Sequence, residues 1–146
     1  MNDDETLLYQ LKDDLQGLFS ESEDYQDLIV KTAYDGDSDI SYPCIIIREL
    51  DNYDNSQYYD LNEHIVDVAY QFNILADQTA TLSAEENVRN IKNIVRDFMR
   101  GERYHALERV GGSPIVTSRS DRNIMIGFMR YEGCIDIDTN TIYRRR

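Results

Sequence analysis

Apolar side chains recur at helical spacing near the start of the chain: Leu7, Leu8, Leu11, Leu15, Leu18 and Phe19. A single apolar stripe, with acids in the first turn beside the positive helix end, predicts an amphipathic helix over residues 4–19. After the acidic break Ser20-Glu-Ser-Glu-Asp24 the pattern shortens. Asp27 to Tyr34 predicts a short strand, and Asp35-Gly-Asp-Ser-Asp39 a turn. Tyr42-Pro-Cys-Ile-Ile-Ile-Arg48 predicts a second strand with proline at its start, where the missing N–H costs least. Asp51 to Asp60 contains three tyrosines and no aliphatic residue, which predicts a polar arm or binding loop.

Residues 61–76 alternate most clearly. Val66, Val68, Tyr70, Phe72, Ile74 and Ala76 share one phase, and Asp67, Ala69, Gln71, Asn73 and Leu75 the other. That is a strand with one core face and one mostly polar face. Ser83-Ala-Glu-Glu86 is a capping box opening a second helix. Its apolar stripe is Val88, Ile91, Val95, Phe98 and Met99, and Gly101 is placed to follow its end. Residues 103–110 suggest another strand, Gly111-Gly112-Ser-Pro114 a turn, and residues 115–119 a pairing segment. The chain closes on a hairpin. Ile124, Ile126 and Phe128 alternate with Met125, Met129 and Tyr131, Asp138-Thr139-Asn140 forms the turn, and Thr141-Ile-Tyr143 leads into Arg144-Arg145-Arg146. Helix, strands, helix, strands, without βα alternation, predicts one α+β domain over residues 1–146, with an antiparallel or mixed sheet covered on one face by two helices.

Composition narrows the picture. The 146 residues, 41% of them apolar, suffice for a real core, and seven glycines and two prolines argue against a disordered or fibrous chain. No apolar run is long enough to span a bilayer. The opening Met1-Asn-Asp-Asp-Glu has neither a basic segment nor an apolar core, so no secretory signal is expected. Cys44 and Cys134, far apart on predicted strands, suggest a reduced intracellular protein with two buried thiols. The net charge of −13 is uneven: residues 1–60 carry sixteen acids against Lys12, Lys31 and Arg48, while residues 61–146 carry twelve acids and twelve bases. This balance argues against a groove of clustered cations gripping nucleic-acid phosphates. It suits simple solubility, a partner with a basic face, or a surface past which DNA slides without sticking.

Catalytic and metal signatures are weak. Asp35, Asp37 and Asp39 suggest a calcium loop, but Ile40 and Ile46 stand where the glycine and the bidentate glutamate belong. Glu63-His64 is half of a zinc-protease motif without its second histidine, and no nucleophile elbow is present. Neither a cofactor nor a metal site is expected, and the chain does not read as an enzyme. The eleven tyrosines carry more. Tyr53, Tyr58 and Tyr59 in the polar arm are amphipathic groups of the kind that interfaces favour. Arg144, Arg145 and Arg146 form a dense cationic end suited to carboxylate pairing at an interface.

Taken together, the chain resembles the small tail terminator or tail-completion (head–tail joining) proteins of long-tailed bacteriophages and phage-like prophage elements. The resemblance covers about residues 40–146. It rests on the N-terminal amphipathic helix, the strand Tyr42 to Glu49 with its polar arm, the strand Val66 to Ile74 leading through Asp77 into the helix Ser83–Met99, and the ending Arg130-Tyr131 through Thr141-Ile-Tyr143-Arg144-Arg145. It implies a non-enzymatic virion protein of the tail or neck, assembled in the host cytoplasm. Such a subunit forms a ring, commonly six copies, that caps the tail tube and meets the head connector, and DNA crosses its lumen without specific binding. A connector or neck subunit, and an acidic DNA mimic that occupies a basic nucleic-acid-binding protein, are the alternatives.

Overall fold

The inward phase of one long strand organises the molecule. In the computed structural model, which describes residues 3–35, 41–54, 65–118, 123–136 and 138–144, β3 (Ile65–Ala76) is a central strand. Val68, Tyr70, Phe72 and Ile74 are wholly buried along its inner side. β3 pairs antiparallel on one side with β2 (Cys44–Asp54) and on the other with β6 (Met125–Asp136). β1 (Ile29–Thr32) joins β2 in parallel. Across β6 lie three short strands: β4 (Glu108–Gly112), β5 (Val116–Thr117) and β7 (Thr141–Tyr143). The sheet order is β1-β2-β3-β6-β4, with β5 and β7 also on β6. The class is α+β with a mixed sheet.

Two helices join the core. In α1 (Asp3–Ser20), Leu7, Leu8, Leu11, Leu15 and Phe19 are fully buried, each worth roughly 1.5–3 kcal/mol of hydrophobic stabilisation. α1 packs chiefly on β1 and β2, and α2 (Ala84–Met99) on β3 and β6. Leucines of α1, the α2 stripe and the inward residues of β2, β3 and β6 form one hydrophobic cluster. Gln16 fastens α1 to the strand edge: its amide donates to Leu28 O at 2.9 Å and accepts from Val30 N at 2.8 Å. The capping box of α2 forms as predicted, with Glu86 N donating to Ser83 Oγ and Ser83 N to Glu86 Oε1. The terminal hairpin also forms. Asp136 Oδ1 accepts from Asp138 N and Thr139 N, and Asn140 takes the positive φ of 58° that asparagine tolerates.

Several expectations need correction. Leu18 is in phase with the α1 stripe but, in the last turn of the helix, is exposed. Phe98 is only partly buried, packed against the core beside the Tyr104 ring. The strand expected at 27–34 narrows to Ile29–Thr32, since residues 33–35 turn away. The polar arm does not begin at Asp51. After a bulge at Leu50 the β2–β3 ladder resumes, pairing Asp51 to Asp54 with Ala69 to Val66. Backbone pairing carries this stretch, so no apolar alternation marks it. The strand expected at 103–110 starts only at Glu108 and runs through Gly111 and Gly112, which were expected to turn. Gly112 lets the strands approach closely: a Cβ there would crowd Phe128 O at 3.2 Å and displace the tip of the Arg109 side chain.

Candidate interaction surfaces

On α2, Arg89, Lys92, Arg96 and Arg100 recur every three or four residues. At helical spacing they lie on one face, beside the apolar stripe. β4 sets Arg109 opposite that face, and the end of β7 brings Arg144 next to β4. These elements enclose two adjoining depressions that share Arg96 and Arg109. One, of about 470 Å³, is lined by Arg100, His105, Glu108, Tyr131 and Arg144 as well. The other, of about 330 Å³, is lined by Arg89, Lys92, Ser113, Ile115 and Met129. Together they form a cationic groove along the sheet edge that carries β4.

The electrostatics of the groove reflect crowding. Burial lowers the Lys92 pKa, and the positive charges of Arg109 and Arg89 lower it further. Burial raises the Tyr131 pKa, opposed by the nearby Arg109, Arg100 and Arg96. Acids neutralise only part of the cluster. Arg89 pairs with Glu85 at 2.9 Å within the helix, and Arg144 with Glu108 at 2.9 Å. Arg96 Nε is shielded from solvent without a hydrogen-bond partner among the described residues, Asp97 lying 3.8 Å away.

The opposite edge has the other sign. Between α1 and β1, the edge strand, the segment 21–28 exposes Glu21, Glu23, Asp24 and Asp27. It is fixed rather than loose at its base, where Tyr25 is buried and donates to Asn87 Oδ1 at 3.0 Å, while Asn87 Nδ2 donates to Asp77 O. Asp24, Asp27 and Asp77 rim a depression of about 330 Å³ beside Tyr42 and Pro43. Among the described residues no cluster of histidine, cysteine, aspartate or glutamate has metal-binding geometry.

Of the interface residues expected from sequence, Arg144 is placed in the groove, and its described partner is Glu108 of the same chain. Tyr53 lies in β2, paired opposite Asp67, rather than in a free arm. Tyr58, Tyr59, Arg145 and Arg146 lie outside the described residues. The cationic groove itself contradicts the inference from charge balance that clustered cations are absent. Counting charge by halves of the chain hid it. The helical phase of Arg89, Lys92, Arg96 and Arg100 was the available signal. The thiols are buried as expected: Cys134 Sγ donates to the buried Asp67 at 3.2 Å, and burial pushes Cys44 up to about 11.

No described helix is long and apolar enough to cross a membrane. Compared with known proteins, the chain matches no family model and no curated sequence.

Proposed function

We propose that this protein is a structural, ring-forming subunit of a phage or phage-like particle, capping the tail tube and joining it to the head connector. The observation that carries the reading is the polarity of the subunit. An acidic segment flanks the β1 edge of the sheet, and a cationic groove follows the β4 edge. Closed rings need heterologous contacts, in which one patch of a copy meets a different patch of the next. A rigid sheet with opposite charge at opposite edges suits that requirement. The resemblance of residues 40–146 to tail-completion proteins supplies the biological setting: about six copies, a tail-tube neighbour, a connector neighbour and a lumen crossed by DNA. Remaining acids facing the lumen would repel phosphates and keep the passage free. A DNA mimic would need acids at phosphate-like spacing on one outer face and would act as a monomer or dimer, whereas opposite charge at the two edges of the sheet suits a ring.

Negative-stain imaging of the purified protein tests the reading. Annular particles with an open centre that seat on the end of purified tail tubes are expected. Monomers or unclosed filaments that ignore tube ends would contradict it.

A further inference from the structure

Six cations, Arg89, Lys92, Arg96, Arg100, Arg109 and Arg144, converge on the groove beside α2. Their own chain answers them in part: Glu85 and Glu108 each take one arginine at 2.9 Å, and Arg96 has only the looser Asp97 at 3.8 Å, its shielded Nε without a hydrogen bond among the described residues. In a chain of net charge −13, so many cations in one place form a surface to which an anionic group is attracted. The same molecule displays a matching segment. Glu21, Glu23, Asp24 and Asp27 are exposed within seven residues, and none has an intramolecular ion pair among the described residues. Their backbone is braced by Glu21 N to Leu18 O, Ser22 N to Phe19 O and the buried Tyr25, so ordering them at a contact costs little.

The segment cannot fill the groove of its own chain. It precedes β1, the first strand in the sheet order, whereas the groove lies by β4, the last. On α2 the Asn87 anchor of the acidic segment and the Arg96 side chain lie on opposite sides of the helix. Positions that cannot meet within one copy can meet between copies related by a rotation.

We propose that the occupant of the groove between α2 and β4 is the Glu21–Asp27 segment of a second copy of this chain, giving a head-to-tail contact. The arginines pair with carboxylates there, in the forked geometry that fits them. The contact rests on the ring reading above but is narrower than it.

A charge-swap series tests the contact. Arg96→Glu with Arg109→Glu reverses the groove, and Glu23→Lys with Asp24→Lys reverses the segment. Mass is followed by light scattering at low and at moderate salt. Each reversed protein alone is expected to self-associate about tenfold or more weakly than the wild type. Mixing the two restores association, because each reversed patch finds its complement on the other protein. A wild type that stays monomeric, reversals without effect, or a mixture that stays dissociated would each overturn the contact. So would unchanged self-association accompanied by duplex-DNA binding that the groove reversal abolishes, since the groove would then serve nucleic acid. Circular dichroism checks the fold, and the milder pair Arg96→Gln with Arg109→Gln replaces the reversal if it unfolds. Imaging separates the two readings. Open chains that obey the swap keep the contact and refute the ring, and rings indifferent to it refute the contact.

Discussion

Lys92 Nζ donates to the carbonyl of Ser113 at 3.2 Å, tying α2 to the turn between β4 and β5. The ammonium is thereby held beside Arg109 and Arg89, whose charges oppose it. The hydrogen bond thus keeps like charges together against their mutual repulsion. Arg109→Gln is therefore expected to leave unfolding free energy within about 0.5 kcal/mol or to raise it, with any gain shrinking in salt. Denaturant melts at two ionic strengths check this. A loss above about 1.5 kcal/mol would make Arg109 a structural residue.

Gly127 lets α2 come close to β6. A Cβ there would stand 3.0 Å from Val88 Cγ1 and 3.3 Å from Lys92 Cδ. Gly127→Ala is expected to cost about 1–3 kcal/mol through overpacking and to push the cationic helix face away from β4. Thermal melts give the first effect. A neutral or stabilising alanine would mean that α2 has room to shift.

Acid sensitivity is expected at Asp35. Its carboxyl is held below the ordinary 3.8 mainly by the Thr32 backbone N–H, with Lys12 at 3.0 Å adding to the effect. A carboxyl lowered in the folded state contributes stability that is complete above its unfolded value and lost as pH falls through the folded one. The stability gap between wild type and Asp35→Asn should thus be full at neutral pH and close below about pH 4. A gap that persisted undiminished well into the acid range would remove the carboxylate explanation.

Both thiols should be inert in the native protein. Burial holds Cys44 up to about 11, so little thiolate exists at pH 8, and Cys134 is buried against Asp67. A thiol-reactive disulfide reagent should titrate none of them before denaturant and both after it. Fast native reaction at Cys44 would show that the β2–β3 surface opens.

The core was legible from periodicity. Val68, Tyr70, Phe72 and Ile74 alternate cleanly, and the structure buries all four, with Tyr131 edge-on to Phe72 at 5.8 Å. The capping box was legible for the same local reason, since Ser83 and Glu86 are one turn apart. Strand β4 was not. Its residues Glu108 to Gly112 are exposed or half-buried and gain their form from pairing with β6, a long-range contact without local pattern. Asp51 to Asp54 were misread for the same reason. The groove failed differently. Arg109 and Arg144 come to α2 only through the β4–β6 and β6–β7 registers, and those registers cannot be read from charge counts.

The central claim is that copies of this protein join edge to edge through opposite charge. Solution mass by light scattering, over a concentration series at low and moderate salt, tests it most directly. The account predicts a defined closed oligomer of about six copies at low salt, dissociating as salt screens the contact. A monomer at every concentration and ionic strength would contradict it.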